Sequence, residues 1–348
     1  MKSRKYSESL LSSFIRKGFK VKTFENIIES KIIIERSGEI FKKSLLSFED
    51  ENGKNYSLRP DLTISACLDY LKNIKKGIYK YVYYDQAYRR TFSKESLVRN
   101  QLGCEVIGSN NKKIDQDIIN LIDQSVKKII KNNTLLKIND VNLFYSLVDS
   151  LNLPTRWKLR FKRHFWRPDY FKDLLRRLAT NSDLDKTIFE LDKKSYFKMK
   201  KMNPKIAIGG RTIEEILNRF EKKIKEPRSK IDGKLIYKII NEFLKITCPL
   251  NKAKVIFQNF EKKYNVNLSL KQNNVFDLKC INKNVLFCSN TGRTTEYYSG
   301  IIFEVFKKSN NLILASGGRY DGLMQTLGSR KKIPAIGGAI NYNKIIRL

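Results

Sequence analysis

Apolar residues recur at helical spacing in several parts of the chain. Near the start, Leu10 and Phe14 share one side of a helix predicted over residues 5–17, and Gly18 supplies its end. Further helices are predicted over residues 64–71, 115–130 and much of 141–265. The last of these ranges is rich in lysine and is interrupted by prolines, which favours a set of short helices.

Alternating apolar and polar residues predict strands at 81–88 and 101–108, and two more strands are predicted within 275–289. A period of two places Gln101 and Glu105 on one face of the second strand. Arg89 follows the first strand. We therefore expect Arg89, Gln101 and Glu105 to point into the space above one sheet.

Two hairpins are predicted from their turn residues. Asn52-Gly53 predicts a two-residue turn between strands over 40–50 and 55–59, and Thr63 is predicted to cap the helix that follows. Asp61 lies just before that helix. At such a position an aspartate either stabilises the helix dipole or holds the ammonium group of a ligand.

The second hairpin, around Asn310-Asn311, lies in the stretch 290–321, on which the rest of the chain depends. This stretch brings Arg293, Tyr297 and Tyr298 together with a glycine-flanked Arg-Tyr-Asp sequence, and predicts one polar pocket on two antiparallel strands. The glycine pairs at 317–318 and 337–338 are typical of places where backbone approaches a ligand or another backbone closely.

The charge is unusual, since 69 lysines and arginines face 35 acidic residues and leave a formal net charge of +34. Such a balance favours polyanionic partners. The lysines are spread along all 348 residues, however, which indicates a compositional bias. We therefore rank phosphate-bearing small molecules or an acidic partner ahead of nucleic acid.

The number and spacing of cysteines and histidines restrict the disulfides, metal sites and catalytic sites that the chain can form. The five cysteines form no C-x-x-C pair, which indicates reduced thiols. No apolar run is long enough to span a membrane, and no signal-peptide core is present. We expect a soluble, cytoplasmic protein. A single histidine, His164, excludes a multi-histidine metal site and argues against a histidine-based catalytic triad, and no metal or cofactor is expected.

Four sequence blocks occur in a characteristic order. They are SLRPDLT at 57–63, YRR followed by QLGCEVIG at 88–108, RTTEYYSGIIFE at 293–304, and SGGRYDGLMQTLG with IPAIGGAI at 316–340. Together they resemble the catalytic fold of the histidyl-tRNA synthetases. The resemblance implies an α+β domain of the class II synthetase type over residues 1–140 and 266–348, with a mostly antiparallel sheet flanked by helices. Residues 141–265 would form a helical insertion and connecting helices.

Two families share these blocks: the synthetases and the regulatory subunits of short-form ATP phosphoribosyltransferase, which do not aminoacylate. Here Lys344 stands where the synthetases have an arginine that clamps the ATP phosphates, and lysine lacks the planar fork of arginine. The loop at 91–100 is a weak match to the ATP-gripping loop, and no anticodon-binding domain is expected after residue 348. These departures favour the regulatory family, with no catalytic residues of its own.

The resemblance also implies a histidine site. Asp61, Thr63, Gln101 and Glu105 would take the ammonium group, Arg89 and Arg293 would face the carboxylate, Glu296 and Tyr297 would lie near the imidazole, and Tyr298 would form a wall.

The implied partners are L-histidine and the catalytic subunit, in a hetero-octamer with four subunits of each kind. Two alternatives stay open. Retention of Arg293 fits a truncated synthetase, and the charge of +34 fits a synthetase-like RNA-binding module.

Overall fold

The computed structural model describes residues 2–36, 44–73, 77–90, 96–131, 133–181, 186–202, 207–208, 211–225, 232–293 and 295–346. The strands at 40–50 and the loop at 91–100 expected from the sequence lie partly outside these residues. The chain divides into two compact units. The first unit comprises Met1–Leu143, Ile246–Asn259 and Ser269–Leu348, and the second comprises Phe144–Lys245 and Phe260–Leu268.

The helices are α1 (Lys2–Ile15), α2 (Ser30–Arg36), α3 (Leu62–Lys72), α4 (Lys112–Ile130), α5 (Val141–Ser150), α6 (Thr155–His164), α7 (Pro168–Ala179), α8 (Lys186–Lys200), α9 (Ile213–Lys225), α10 (Gly233–Lys245), α11 (Leu250–Tyr264), α12 (Leu323–Thr326) and α13 (Tyr342–Ile346). The strands are β1 (Lys20–Val21), β2 (Ile27–Glu29), β3 (Ser47–Glu49), β4 (Asn55–Leu58), β5 (Tyr79–Tyr88), β6 (Val98–Ile107), β7 (Thr134–Asp140), β8 (Ala207–Ile208), β9 (Arg211–Thr212), β10 (Thr247–Pro249), β11 (Val285–Cys288), β12 (Ile301–Lys307), β13 (Leu312–Arg319) and β14 (Ala335–Asn341). Within the described residues, no helix is both long and apolar enough to cross a membrane.

A sheet of nine described strands forms the centre of the first unit, in the order β1-β5-β6-β14-β13-β12-β7-β11-β10. Its middle strands, from β5 to β7, pair antiparallel. The pairs β1/β5 and β7/β11 are parallel, so the sheet is mixed and the expected mostly antiparallel sheet was wrong in this detail. Each parallel pair joins strands far apart in the sequence, which local alternation does not reveal.

The two faces of the sheet differ in character. The face on which a side chain at Gly338 would project meets Phe303 and Ile122, the latter in the apolar stripe of α4. The neighbouring residue Gly337 projects to the other face, against the carboxyl group of Glu105. One face therefore forms the core with α4, and the other carries the polar side chains.

The first hairpin has a longer turn than predicted. Strands β3 and β4 pair antiparallel, but the backbone N–H of Asp50 bonds the carbonyl of Lys54, so three residues separate the ends. The side chain of Asp50 accepts hydrogen bonds from the N–H groups of Asn52 and Lys54. This aspartate closes the wider loop, with Gly53 at a φ of 75°.

Residues 275–289 contain one strand, β11, where two were predicted. The segment before it forms a 3₁₀ turn at Asn274–Asp277 because the side chain of Asn273 caps the N–H of Val275.

The second unit is helical and has an aromatic core. Phe144 stacks on Phe165 with ring centroids 4.3 Å apart and also contacts Phe171 and Phe243. The range 141–265, assigned from the sequence to a helical insertion and connecting helices, also contains β10, which joins the central sheet.

The first prediction concerns Gly337. A methyl group there would overlap the buried carboxyl group of Glu105, so Gly337→Ala should lower the free energy of unfolding by about 1–3 kcal/mol in urea denaturation. Gly322→Ala is the matched control, because a Cβ at Gly322 meets nothing within 4 Å. Equal stability of the two variants would show that Glu105 does not occupy the space above Gly337.

Candidate functional site

A cavity of about 290 Å³ lies over the polar face of the central sheet, inside the first unit. Its lining residues are Asp61, Thr63, Arg89, Arg99, Gln101, Thr295, Tyr297, Tyr298, Ile313, Leu314, Ala315, Ser316, Tyr320, Gly337, Gly338, Ala339, Asn341 and Lys344. Six of the nine residues predicted for the site are therefore gathered at one cavity.

The strand register explains this gathering. Gln101 on β6 pairs with Asn341 on β14, and two residues further along Gly103 pairs with Ala339. Ala339 in turn pairs with Ser316 on β13. Because side chains alternate between the two faces, these residues form adjacent rows on the polar face, as period two predicted for Gln101 and Glu105.

Asp61 is held by both of its carboxylate oxygens. Oδ1 accepts the N–H of Ile64 at 3.1 Å, which makes Asp61 the N-cap of α3. The predicted cap, Thr63, instead lies inside the first turn, because the helix begins at Leu62. Oδ2 accepts a hydrogen bond from Nη2 of Arg89 at 3.0 Å, and Nε of Arg89 donates to the carbonyl of Pro60. The cavity thus contains an adjacent anion and cation.

Arg59 fixes the backbone that leads into Asp61. Its side chain is fully buried, donates from Nε to the carbonyl of Gln86 and from Nη1 to that of Phe24, and pairs with Asp85 at 2.5 Å. A buried guanidinium requires such partners, because an unpaired buried charge is strongly unfavourable. Arg59 therefore links the end of β4 to β5 through hydrogen bonds and an ion pair.

Glu105 lies beneath the cavity and is itself fully buried. Its Oε1 accepts hydrogen bonds from the hydroxyls of Thr63 at 2.7 Å and Tyr83 at 2.9 Å. Its Oε2 accepts one from the hydroxyl of Tyr320 at 2.5 Å. Burial raises the pKa of Glu105 to about 7, although the three hydroxyl donors oppose the rise.

Two glycines give Glu105 and its partners their space. A side chain at Gly103 would collide with the ring of Tyr83, and one at Gly337 would collide with Glu105. The glycines thus admit the protein's own side chains, whereas the sequence had indicated at 337–338 a close approach of backbone to a ligand or to another backbone.

Three tyrosines form one wall of the cavity. The ring of Tyr297 makes edge contacts with Tyr298 at 5.1 Å and with Tyr320 at 5.9 Å. Burial, followed by the negative charge of Asp61, raises the pKa of both Tyr297 and Tyr298 well above the usual range. These phenols stay protonated and can donate hydrogen bonds to a ligand.

Three of the nine predicted site residues do not line the cavity: Glu105, which lies beneath it, and Arg293 and Glu296. Arg293 is buried, donates from Nη1 to the side chain of Asn290 at 2.8 Å, and has its pKa lowered to about 10 by burial. Glu296 is half-buried outside the lining.

The sequence reasoning left several lining residues unassigned. Tyr320 follows Arg319, whose guanidinium makes a two-pronged ion pair with Asp115 in the first turn of α4. The Arg-Tyr-Asp sequence was a usable signal for this residue. Arg99 and Lys344 also line the cavity, and only the position of Lys344 had drawn attention.

The arrangement suits a small zwitterion. Asp61 and Arg89 offer opposite charges side by side, while hydroxyl and amide groups from Thr63, Gln101 and Tyr297 supply directional hydrogen bonds. Ligand pockets in proteins typically start near 300 Å³, so the cavity is of the size that holds one small molecule.

Comparison with known proteins identifies the family and the fold. A family model described as histidyl-tRNA synthetase matches residues 2–222 and 282–345. The chain belongs to the histidyl-tRNA synthetase family. The solved structure of a histidyl-tRNA synthetase from Nostoc superposes on 99% of the chain and 72% of its own length, with a TM-score of 0.62 and 15% identity. The class II synthetase-like fold is thereby confirmed.

Relatives of two kinds match this member of the family. The chain is 24% identical to a protein named ATP phosphoribosyltransferase regulatory subunit from Allorhizobium ampelinum, over 98% of the chain and 96% of that protein. It is 26% identical to a histidine–tRNA ligase from Methanocaldococcus jannaschii, over 99% of the chain but 72% of that protein. The predicted resemblance to the regulatory subunits is confirmed.

The second prediction concerns the pH dependence of stability. Because the pKa of Glu105 in the folded protein, about 7, lies above its unfolded value near 4.5, its stabilisation is full below about pH 4.5 and is lost as the pH rises through 7. The free energy of unfolding of Glu105→Gln, measured by urea denaturation relative to the unaltered protein, should therefore rise by up to about 3 kcal/mol between pH 5 and pH 8.

Glu51→Gln, in an exposed turn, controls for the change in overall charge. If Glu105→Gln changes the free energy of unfolding equally at pH 5 and pH 8, Glu105 is ionised over this whole pH range.

Proposed function

We propose that this chain is the regulatory subunit of a short-form ATP phosphoribosyltransferase, which binds L-histidine in the cavity and carries out no phosphoribosyl transfer itself. The observation that carries the proposal is a cavity whose charges complement an amino acid and whose other residues include Lys344. By the family resemblance, position 344 belongs to an arginine that clamps the ATP phosphates. The site thus retains the means to hold histidine and has lost a group that serves adenylation.

In the bound state, Asp61 would accept the ammonium group and Arg89 the carboxylate. These two side chains already form an ion pair at 3.0 Å, so the ligand would share existing charges and would require little new ordering. Gln101 and Thr63 would complete the ammonium contacts. Tyr297 would face the imidazole, with Tyr298 forming the wall beside it.

Glu105 would act through its neighbours, because it has no exposed surface. Its carboxyl group accepts from Thr63 and Tyr320, which both line the cavity, and so fixes the direction of their hydroxyl groups. Above about pH 7, where Glu105 ionises, its negative charge also favours a cationic ligand group. Arg293 and Glu296, set back from the cavity, would support the segment that carries the tyrosines.

Regulation then takes the form of a coupling free energy between two sites. Histidine must bind one state of the assembly more tightly than the other, and its preference must oppose the state in which the partner is active. The names of the regulatory-subunit relatives support the catalytic subunit as that partner. A hetero-octamer with four subunits of each kind is the assembly proposed.

The third prediction tests the cavity directly. Asp61→Asn removes the charge opposite the ligand ammonium, and a hydrogen bond to a charged group is worth about 1.5–3 kcal/mol. Calorimetric titration should therefore show histidine binding weakened about ten- to a hundredfold, and Glu105→Gln should weaken it in the same direction. Lys344→Ala is the control and should leave histidine affinity nearly unchanged, because that position served ATP.

The titration also tests whether histidine binds in the cavity or elsewhere on the protein. Equal affinities for the unaltered protein and both acidic-site variants would mean that histidine binds elsewhere, and the residue assignments would then be wrong.

A histidyl-tRNA synthetase is the second candidate, favoured by retention of Arg293 and by the similarity to the ligase from Methanocaldococcus jannaschii. That function requires histidine-dependent exchange of pyrophosphate into ATP. We expect none above background, because Lys344 presents a point charge where the phosphate clamp needs the planar, two-pronged geometry of a guanidinium.

A further inference from the structure

The hydrogen bonds around Glu105 allow two arrangements of their hydrogen atoms. An ionised carboxylate can only accept, so the three neighbouring hydroxyls must then donate to it, Thr63 and Tyr83 at Oε1 and Tyr320 at Oε2. A protonated carboxyl group carries a hydrogen atom of its own and needs an acceptor for it. One of the three hydroxyl groups must then turn round and accept from Glu105.

Tyr320 is the hydroxyl group that turns. Oε1 accepts from two hydroxyls, whereas Oε2 accepts from Tyr320 at 2.5 Å. A proton on Oε2 therefore displaces one hydrogen bond, and a proton on Oε1 disturbs two. Tyr320 also lines the cavity, so its hydrogen atom becomes available to the cavity once it leaves Glu105.

The protonation state of Glu105 thus sets the polarity that the cavity presents to a ligand. With Glu105 ionised, the hydroxyls of Thr63 and Tyr320 commit their hydrogen atoms to it and offer oxygen lone pairs to the cavity. An ammonium group, which is only a donor, fits this arrangement. With Glu105 protonated, Tyr320 offers a hydrogen atom, which opposes a donor. A cation in the cavity is also attracted by the ionised form alone.

Several other titratable groups lie close enough to interact with Glu105. Besides the phenols of Tyr83 and Tyr320, they are Asp61, Cys67, Cys104, Tyr297 and Tyr298. Burial raises the pKa of both thiols and of all four phenols well above their usual ranges, so these groups stay neutral near pH 7. Asp61 is paired with Arg89. Within this set, Glu105 is the group that changes its charge around pH 7.

We propose that Glu105 is a proton-linked positioning residue: histidine binding below neutral pH expels the proton of Glu105, so the cavity holds histidine more tightly as the pH rises. The proposal rests on the histidine site proposed above and adds the pH dependence of that site. The proton passes to the buffer, and the ammonium group of the ligand replaces its positive charge above the carboxylate.

The size of the effect follows from the unliganded protein. Burial raises the pKa of Glu105 to about 7, so Glu105 carries about 0.9 proton at pH 6 and about 0.1 proton at pH 8. If the bound ligand keeps Glu105 ionised, these are the amounts that binding releases. The histidine affinity should therefore rise about tenfold from pH 6 to pH 8 through this residue alone.

Calorimetric titration of the full chain with L-histidine tests the linkage at pH 6 and pH 8, in two buffers with different enthalpies of ionisation. The dependence of the measured heat on the buffer gives the number of protons released. The unaltered protein is compared with Glu105→Gln, whose amide cannot ionise. This comparison removes the protons that come from histidine itself and from Asp140 and Glu304, two acids on other strands whose pKa burial also raises to about 7.

At pH 6 the unaltered protein should release about 0.9 proton more than Glu105→Gln, and at pH 8 the difference should fall to about 0.1. The ratio of the two histidine affinities should rise about tenfold over the same range. Glu51→Gln, the same change in an exposed turn, should behave as the unaltered protein. Tyr320→Phe removes the hydroxyl group that most strongly opposes the rise in the pKa of Glu105, so it should release more protons at pH 8 than the unaltered protein.

Equal proton release by the unaltered protein and Glu105→Gln at pH 6 would overturn the linkage and leave the histidine site in place. Net proton uptake relative to Glu105→Gln would overturn it too, because the ligand would then present acceptors to Tyr320. Tyr320→Phe keeps the test decisive if Glu105→Gln does not fold, since release at pH 8 no greater than in the unaltered protein would contradict the linkage. Failure of the unaltered protein to bind histidine at either pH would overturn the proposed histidine site as well.

Discussion

The carboxyl group of Glu105 is the constraint on which the rest of the site depends. It is fully buried, and leaving such a group without partners would be unfavourable by several kcal/mol. Its three hydroxyl donors come from α3, β5 and the residue that follows β13, which lies 215 positions away in the sequence. Satisfying one acid therefore requires both ends of the chain to be in place, and the cavity forms as a consequence.

Three largely buried ion pairs stabilise the strands and helices around the site. Arg59 joins β4 to β5 through Asp85, and Arg319 joins β13 to α4 through Asp115. Of these three pairs, that of Asp61 with Arg89 faces the cavity, and there it presents opposite charges to a ligand. Arg59, Arg89 and Arg319 thus order the site.

Much of this could be read from the sequence, and the failures have physical causes. Period two correctly placed Gln101 and Glu105 on one face, but not the depth of Glu105, which depends on Gly337 in a strand 232 positions later. Thr63 and Asp61 both suit a helix cap, and only the helix start at Leu62 decides between them. The parallel pairs β1/β5 and β7/β11 depend on contacts between distant segments, and local patterns do not reveal them.

The most direct measurement is the activity of the short-form catalytic subunit with and without this chain, over a range of histidine concentrations. The account predicts that adding the chain raises activity, that histidine then inhibits it, and that Asp61→Asn preserves the activation while requiring at least tenfold more histidine for inhibition. Unchanged activity after mixing the two proteins at micromolar concentrations would contradict the regulatory function. Activation with equal histidine sensitivity in both proteins would contradict the assigned cavity.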